Sequence, residues 1–365
     1  MTEPHNHVYL VHDYARSLHG APLPVVTLAS EAGAQVESDG GPGQPGPGGL
    51  RASVAIIGAS GYTGQELQRL LARHPGLREP RLLTARGPDA FDPEILHEVD
   101  GVFLCTPHGA AQPLAQAALE RGCRVVDLSA DFRLRDPAVY ASTYGAEHSA
   151  PELLHDAVYG LTEHARTRVP DARLVANPGC YPTSVLLPLL PLLRVGLVSA
   201  ATTIVCDCKS GVSGAGNSPG PRTIFGAVHE NFSAYAVSGH RHLPEIQQEA
   251  GTMNMVFVPH LLPVFRGILS TIYLRPVRGV DVQELRAHLR DRYDGEAFVR
   301  ILEEEEGQPQ LTDVQRTNRC DIALAAQGEH VVVTSVIDNL VKGAAGQALQ
   351  NMNLMLGFPE GAGLT

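Results

Sequence analysis

The sequence predicts an α/β protein in which a doubly wound parallel sheet is followed by a second α/β (α+β) domain with a mixed sheet. Short apolar strands alternate with helical patterns up to about residue 176, which is typical of parallel sheets with helical crossovers. From about residue 177 the pattern changes and longer strands follow one another. The chain has 365 residues, more than one ordinary core holds, and it is 44% hydrophobic and 5% aromatic, which suits an α/β protein.

Each element is predicted from a local pattern. The apolar run VAIIG, which starts at Val54, predicts a strand that ends in a glycine-rich turn. The segment 65–74 has helical periodicity and stops at Pro75-Gly76. The same criteria predict strands at 81–84, 101–105, 124–128, 202–209, 255–258, 267–274 and 331–337, and helices at 112–121, 181–194 and 343–356.

Residues 1–50 differ from the remainder of the chain. The stretch 37–49 (ESDGGPGQPGPGG) is rich in Gly and Pro and predicts a linker or a disordered segment. We therefore expect an N-terminal extension over 1–50, a first domain over 51–178 and a second domain over 179–342. The last helix, within 343–365, is expected to return to the first domain and complete it.

Charge and cysteine content disfavour several functions. The chain carries 39 acidic and 28 basic residues, a net charge of −11, which is unsuited to binding nucleic acid or an anionic membrane. No apolar run of about 18 residues predicts a transmembrane helix, and the N-terminus lacks the pattern of a secretion signal. The six cysteines form no Cys-x-x-Cys pair, so we expect reduced thiols in a cytoplasmic protein.

A glycine-rich loop, GASGYTG (58–64), lies directly between the first strand and the first helix. Glycines let the backbone approach a pyrophosphate, and the helix N-terminus offers free N–H groups, so this context predicts a dinucleotide site of the Rossmann type. A structural turn is the alternative. The segment LLTARG (82–87) at the end of the second strand contains no acidic residue, and Arg86 lies there instead. An arginine at this point suits the 2′-phosphate of NADP(H), although a solvated surface side chain would also explain it.

Cys180 is predicted to be a nucleophile. It lies in NPGCYPT (177–183), after a Gly turn and at the start of a helix whose first turn contains Pro182. A helix N-terminus stabilises a thiolate, so the sequence predicts a lowered thiol pKa for Cys180. A buried structural cysteine is the alternative, and it fits the other five cysteines better.

Ionisable residues are concentrated in GHRHLPEI (239–246), which contains His240, Arg241, His242 and Glu245. A nucleophilic thiol needs a base to take its proton, and an anionic substrate needs a cation, so this segment is a candidate for both roles. Two histidines are also candidate metal ligands. No third ligand accompanies them in a recognisable pattern, and the sequence predicts no metal site. A pair of surface histidines is the remaining alternative.

A second loop of small residues, KSGVSGAG (209–216), follows a predicted strand. Its backbone N–H groups are able to cradle an anion. A flexible loop explains the same composition, and the local pattern does not choose between the two.

Seven motifs in this order resemble the N-acetyl-γ-glutamyl-phosphate reductase family of the aspartate-semialdehyde dehydrogenase-like superfamily. The resemblance covers residues 53–360 and leaves out the extension. The motifs are GASGYTG (58–64), CTPHG (105–109), DLSADFR (127–133), NPGCYPT (177–183), KSGVSGAG (209–216), GHRHLPEI (239–246) and DNLVKGAAGQALQ (338–350).

The resemblance implies NADPH-dependent reduction of N-acetyl-γ-glutamyl phosphate, in arginine biosynthesis, to a semialdehyde and phosphate through a thioester on Cys180. It implies an acid/base histidine, for which we favour His240 over His242, and a catalytic second domain that assembles into homotetramers or homodimers. The candidate substrate-binding residues are Asn177, Lys209, Ser210, Arg241 and Glu245. The candidate cofactor-binding residues are Gly58, Ser60, Gly61, Tyr62, Thr63, Gly64, Arg86, Thr106, Pro107, Ser129 and Asn339.

Three alternative functions remain at this point. A lysine-biosynthesis branch of the family reduces an aminoadipyl phosphate tethered to a small acidic carrier protein, but the intact NPGCYPT motif and the net charge of −11 argue against it. A non-catalytic NADPH-binding regulator would bind nucleotide without a reactive Cys180. A cysteine hydrolase would act on an acyl substrate without a nicotinamide cofactor.

Overall fold

The computed structural model describes residues 51–84, 93–217 and 220–364. The predicted extension over 1–50 and the candidate cofactor residue Arg86 lie outside these described residues. No helix among the described residues is both long enough and apolar enough to cross a membrane.

The first sheet consists of six parallel strands. They are β1 (Val54–Ile57), β2 (Arg81–Leu83), β3 (Gly101–Leu104), β4 (Arg124–Asp127), β5 (Val158–Tyr159) and β6 (Leu174–Ala176). The strands pair in the order β2-β1-β3-β4-β6-β5. Every residue of β1 and β3 is buried, because both faces of the sheet are covered. The predicted doubly wound parallel sheet is therefore confirmed.

Helices cover this sheet on its two faces. They are α1 (Tyr62–Leu71), α2 (Ala111–Glu120), α3 (Pro137–Tyr144), α4 (Leu153–Asp156) and α5 (Thr162–Ala165). Leu67 and Leu70 of α1 pack on one face beside Val54, whereas Ala115 of α2 packs on the other face beside Val102. The loops that follow β1, β3 and β4 consequently meet at one edge of the sheet.

The second sheet is mixed and has seven strands. The elements of this part of the chain are α6 (Cys180–Arg194), β7 (Ile204–Gly211), α7 (Phe225–Val228), β8 (Ser233–Ala234), α8 (His242–Ala250), β9 (Met255–Leu262), β10 (Ile268–Leu274), α9 (Val282–Tyr293), β11 (Val299–Ile301), α10 (Leu311–Val314), β12 (Cys320–Gln327) and β13 (His330–Ile337). The strand order is β11-β12-β13-β10-β7-β9-β8, with β7–β9 and β11–β12 parallel and the other pairs antiparallel. The predicted mixed sheet is confirmed.

One face of the second sheet packs against α6. Cys206 and Cys208 of β7 are fully buried on this face, and the alternating residues Asp207 and Lys209 lie on the opposite face. Residues 181–192 of α6 are all buried, as expected of a helix that is apolar on every side. Cys180 is therefore the first residue of a helix held rigidly between layers.

The last segment of the chain returns to the first sheet. A π-helical turn, Val341–Ala345, leads into α11 (Gly346–Met355), where the sequence predicts a single helix from 343. Leu349 and Met352 of α11 pack in the same core as Val54 and Phe103. Shorter 3₁₀ turns are Pro93–Glu98, Val212–Ala215 and Glu304–Glu306.

Candidate active site

A cavity of about 740 Å³ lies at the carboxyl edge of the first sheet, where it meets the start of α6. Ligands of parallel α/β sheets bind at this edge because the connecting loops diverge there. The cavity wall is formed by residues 58, 60–64, 84, 105–108, 110, 128–130, 133, 179–180, 213–217, 241–242, 339–340 and 343–344.

The glycine-rich loop forms the wall that follows β1. Gly58 has φ +92°, and a Cβ there would lie 2.5 Å from the Cys105 carbonyl oxygen, so only glycine fits. A Cβ on Gly64 would lie 2.7 Å from the Gly58 carbonyl oxygen. Gly61 precedes α1, no side chain caps the helix, and a Cβ on Gly61 would meet only the Gly58 carbonyl oxygen, at 3.8 Å. The N–H groups of Tyr62 and Thr63 are therefore at the cavity, as a pyrophosphate site requires.

Thr106, Pro107 and Ser129 line the same cavity after β3 and β4. The Thr106 hydroxyl is buried and has no hydrogen-bond partner among the described residues, which leaves it available to a bound ligand. Ser129 is held by Asp127, whose carboxyl accepts from the Ser129 hydroxyl at 2.8 Å. These features fit a nicotinamide nucleotide, whose polar groups would satisfy the buried hydroxyl.

Cys180 lies on the cavity wall opposite the glycine-rich loop and is partly exposed to the cavity. The preceding residue, Gly179, donates its N–H to the Glu245 carboxyl at 2.8 Å. On the other side, a Cβ on Gly343 would lie 2.9 Å from the Cys180 Cβ, so the π-helical turn packs directly on the cysteine. The thiol is therefore positioned from two elements that are distant in sequence.

The predicted lowering of the Cys180 pKa does not hold in this structure. Burial raises the pKa of the Cys180 thiol above its ordinary value, and the Arg133 charge and the Tyr181 N–H hydrogen bond oppose that effect only in part. The rise in pKa caused by burial outweighs the lowering expected from the helix N-terminus, because the thiol lies deep between the two layers. A thiol held in this way needs a base to ionise it.

His242 lies on the cavity wall, whereas His240 does not. A Cβ on Gly179 would lie 2.7 Å from His242 Nε2, which places this nitrogen beside the nucleophile loop. Burial lowers the pKa of His242 well below its ordinary value, with His240 and Arg133 adding to the effect, so the ring is neutral and able to accept a proton. His240 is not on the cavity wall, and its Nδ1 accepts from the His242 backbone N–H at 3.1 Å. The geometry thus favours His242, contrary to the preference from sequence.

Arg133 lines the cavity, although the sequence did not single it out. Its Nε donates to the Asn177 carbonyl at 2.8 Å and its Nη2 to the Leu128 carbonyl at 2.9 Å, and its Nη1 lies 3.5 Å from a Glu245 oxygen. The motif DLSADFR contains this residue, and that motif was the only signal for it. Arg133 places a fixed positive charge beside Cys180.

Glu245 and Arg241 have different positions. Glu245 is 1% exposed and absent from the cavity wall, and its carboxyl also accepts from the Tyr159 hydroxyl at 2.8 Å. It therefore supports the cysteine loop and does not face a substrate. Arg241 lies on the cavity wall, and its side chain has no ion-pair partner within the part of the chain that the structure describes.

Three further candidate substrate residues lie away from the cavity wall. Lys209 pairs with Asp207 at 2.8 Å on the face of the second sheet that points away from α6. Ser210 is buried and donates to the neighbouring Gly211 carbonyl. Asn177 is fully buried and donates to the Ala344 carbonyl at 3.2 Å, so it links the cysteine loop to the π-helical turn.

The second glycine-rich loop reaches the cavity through its later residues, 213–217. Asn339 donates to the Ser213 hydroxyl at 2.9 Å and accepts from the Gly267 N–H at 2.7 Å. Asn217 donates to the Ser60 carbonyl at 3.2 Å, which joins this loop to the first one. Asn339 thus lies on the cavity wall and also fixes the loop.

A glycine-rich nucleotide loop, a cysteine at a helix N-terminus and a buried histidine surround one cavity, and the family matches show that this is the fold of a semialdehyde dehydrogenase. The family described as "Semialdehyde dehydrogenase, NAD binding domain" matches residues 53–90 and 85–172. "Semialdehyde dehydrogenase, dimerisation domain" matches residues 180–339. The first match indicates a nicotinamide cofactor.

Curated relatives show to which family of semialdehyde dehydrogenase-like proteins the chain belongs. An N-acetyl-gamma-glutamyl-phosphate reductase of Halorhodospira halophila is 49% identical over 85% of this chain and 97% of the relative. One of Pelotomaculum thermopropionicum is 47% identical over 86% of this chain and 98% of the relative. The chain belongs to the N-acetyl-γ-glutamyl-phosphate reductase family, which confirms the resemblance inferred from the motifs.

Solved structures agree on the fold. Aspartate semialdehyde dehydrogenase II from Vibrio cholerae superimposes with a TM-score of 0.65 at 17% identity, over 84% of this chain and 99% of that chain. Aspartate semialdehyde dehydrogenase with NADP from Candida albicans gives 0.59 at 15% identity, over 84% and 98% of the two chains. These comparisons support the two-sheet architecture.

We expect the alkylation rate of Cys180 to rise with pH through a midpoint above about 8.5, the ordinary thiol value. The sign follows from the raised pKa, since only the thiolate reacts and a higher pKa moves its formation to higher pH. The midpoint is measured by iodoacetamide labelling at a series of pH values, with mass spectrometry of the peptide that contains Cys180. The unfolded protein serves as the reference. A midpoint below that of the unfolded protein would show that the helix N-terminus outweighs burial.

Gly343→Ala is expected to lower turnover by about 10-fold or more, because the new Cβ would displace Cys180 by a few tenths of an ångström or more. Steady-state kinetics and Cys180 alkylation measure the effect. Gly226→Ala is the matched control, since a Cβ there meets nothing within 4 Å. Equal activity of the two variants would contradict the close contact between Gly343 and Cys180.

Proposed function

We propose that this protein reduces N-acetyl-γ-glutamyl phosphate with NADPH to N-acetyl-glutamate 5-semialdehyde and phosphate. The observation that carries the proposal is the position of Cys180 at the N-terminus of α6, on the same cavity as the nucleotide loop. The 49% identity to a named reductase across 97% of its length supports the substrate. This is the arginine-biosynthesis reaction that the motifs imply.

The first half of the reaction uses the chain's own groups. His242 Nε2 takes the Cys180 proton as the sulfur attacks the acyl carbon, because both groups are neutral in the resting site. A carbon–sulfur bond forms, the carbon–oxygen bond to phosphate breaks, and phosphate leaves. The positive charge of Arg133 stabilises the negative charge that develops beside the sulfur.

The second half converts the thioester into the aldehyde. When bound, the reduced nicotinamide supplies the hydride to the thioester carbon. Cys180 then leaves as a thiolate and recovers its proton from His242. The π-helical turn packs on Cys180 through Gly343, which fixes the position of the sulfur during both halves of the reaction.

Arg241 is the group we propose for binding the anionic part of the substrate. Three of the five N–H groups of Arg133 are directed at two carbonyls and Glu245, whereas Arg241 reaches the cavity with no ion-pair partner among the described residues. An arginine can hold a carboxylate or a phosphate through two parallel hydrogen bonds. We therefore retain Arg241 as a substrate-binding residue, whereas Glu245 and Asn177 hold the cysteine loop in position.

The choice of NADP(H) rests on the sequence that follows β2. Thr84 lies there on the cavity wall, and no acidic residue follows it up to Arg86. An acidic residue at this position would favour NAD, since it binds the ribose 2′-hydroxyl and repels a 2′-phosphate. Arg86 is the residue we propose for the 2′-phosphate.

We also propose that the protein is a homodimer or homotetramer. The match to a dimerisation domain over residues 180–339 supports assembly through the second sheet. The face of that sheet away from α6 exposes apolar side chains, with Val256 46% and Tyr273 38% exposed. A second copy would cover this face. The cytoplasm remains the predicted location.

The reverse reaction tests the proposal directly. NADP⁺, phosphate and N-acetyl-glutamate semialdehyde should give phosphate-dependent NADPH absorbance, and NAD⁺ should give much less. Cys180→Ser should lower turnover by roughly three orders of magnitude or more, because a hydroxyl is barely ionised at neutral pH. NADPH fluorescence should show that this variant still binds cofactor. Absence of signal in the parent protein with cofactor bound would favour the carrier-linked aminoadipyl substrate or a regulatory role.

The two histidines are expected to respond differently to substitution. His242→Gln should lower kcat by about 10²- to 10⁴-fold, the usual contribution of a general base. His240→Asn keeps an acceptor for the His242 N–H and should cost much less. Steady-state kinetics of both variants decides the assignment, and a larger loss in His240→Asn would restore the preference for His240.

A further inference from the structure

Lys342 is a fully buried lysine inside the π-helical turn. Its Nζ donates to the Glu163 carboxyl at 2.6 Å and to Gln350 Oε1 at 2.9 Å, and it lies 5.7 Å from the centre of the Phe298 ring. Glu163, on α5, is buried as well and also accepts from Gln350 Nε2 at 2.9 Å. Lys342 is not on the cavity wall, so it does not contact a substrate there.

A buried ion pair of this kind is a poor source of stability. Removing both charges from water costs free energy that their attraction barely returns, and an apolar pair of similar volume is often as stable or more so. A buried lysine and glutamate are therefore expected where a defined position is needed. π-helical turns are themselves rare and are concentrated at functional sites.

The residues next to Lys342 form part of the active-site wall. Leu340, Gly343 and Ala344 line the cavity, and Gly343 packs on Cys180. The Ala344 carbonyl accepts from the Asn177 side chain of the cysteine loop. A shift of the turn by a fraction of an ångström would therefore move both the cofactor wall and the nucleophile.

We propose that Lys342 and Glu163 form a positioning pair, which fixes the π-helical turn so that Gly343 holds Cys180 and Leu340 and Ala344 shape the nicotinamide side of the cavity. The kinetic consequence rests on the proposed function. The effect on the position of Cys180 does not, because it is present without substrate or cofactor.

The decisive variant replaces both members, Lys342→Met with Glu163→Met. It leaves no unpaired charge, and Gln350 keeps its bonds to Asn318 and Glu360. We expect a folded protein with a melting temperature near that of the parent or above it. We also expect a fall in kcat on the order of 10- to 100-fold, a weaker affinity for NADPH and a changed alkylation rate of Cys180 in the cofactor-free protein.

The control removes an ion pair outside this network, Arg290→Gln with Glu303→Gln, whose charged groups meet at 2.6 Å on the surface of the second domain. This control should change neither kcat nor the alkylation rate. Parental kcat and parental alkylation in the folded Lys342–Glu163 double variant would overturn the positioning role.

Glu163→Asp covers the case in which the double variant does not fold. It keeps the charge and shortens the reach by one methylene, so it should draw the turn away from Cys180. Parental kinetics and alkylation in Glu163→Asp would also overturn the proposal. If the parent protein itself has no reductase activity, the proposed function fails, whereas the alkylation measurements still test the positioning pair.

Discussion

The active site depends on one buried carboxyl group, that of Glu245. It accepts from the Gly179 N–H that precedes the nucleophile and from the Tyr159 hydroxyl of the first sheet, and it lies against Arg133. Glu245 belongs to α8, the helix that begins at His242. One side chain thus sets the relative positions of the thiol, the base and the fixed positive charge. Removal of such a group would leave Arg133 buried without its partner, which is strongly unfavourable.

The electrostatics of the site follow from the burial of its ionisable groups. Burial raises the pKa of Cys180 and lowers that of His242, which favours the neutral form of both groups. In the proposed mechanism a proton moves between them only when an acyl group is attacked. The same burial strengthens the effect of the Arg133 charge on the developing anion. An activated thiolate exposed to water would react with many electrophiles, and this arrangement avoids it. In the proposed mechanism, the nucleophile therefore stays unionised until the substrate is in place.

Local patterns predicted the fold well and the site only in part. Apolar runs located β1 and β3, because a strand buried on both faces leaves an uninterrupted signal. The helix α9 (VQELRAHLRDRY) is rich in charge, and β12 (CDIALAAQ) is rich in alanine, so neither carried a clear pattern. The position of Cys180 at the start of a helix could be predicted, because the residues next to it in sequence, Gly179 and Pro182, indicate a helix start.

Long-range contacts explain what the sequence did not predict. Arg133 owes its position to Asn177 and Glu245, which are 44 and 112 residues away in sequence. Lys209 belongs to a strand whose side chains alternate, and no local signal tells which face meets α6. The raised pKa of Cys180 comes from its burial in the folded protein, which no local helix-terminus argument includes. Substrate and pKa assignments therefore required the three-dimensional structure.

The return of the chain from α11 to the first sheet has a consequence for biosynthesis on the ribosome. Val54 and Phe103 share their core with Leu349 and Met352, so the part of this face that α1 does not cover stays exposed until residues 346–355 have emerged. The π-helical turn that forms the cofactor wall arrives with the same segment. A nascent chain consequently has an apolar surface that chaperones can recognise, and it lacks a complete cavity wall until residues 341–355 have been translated.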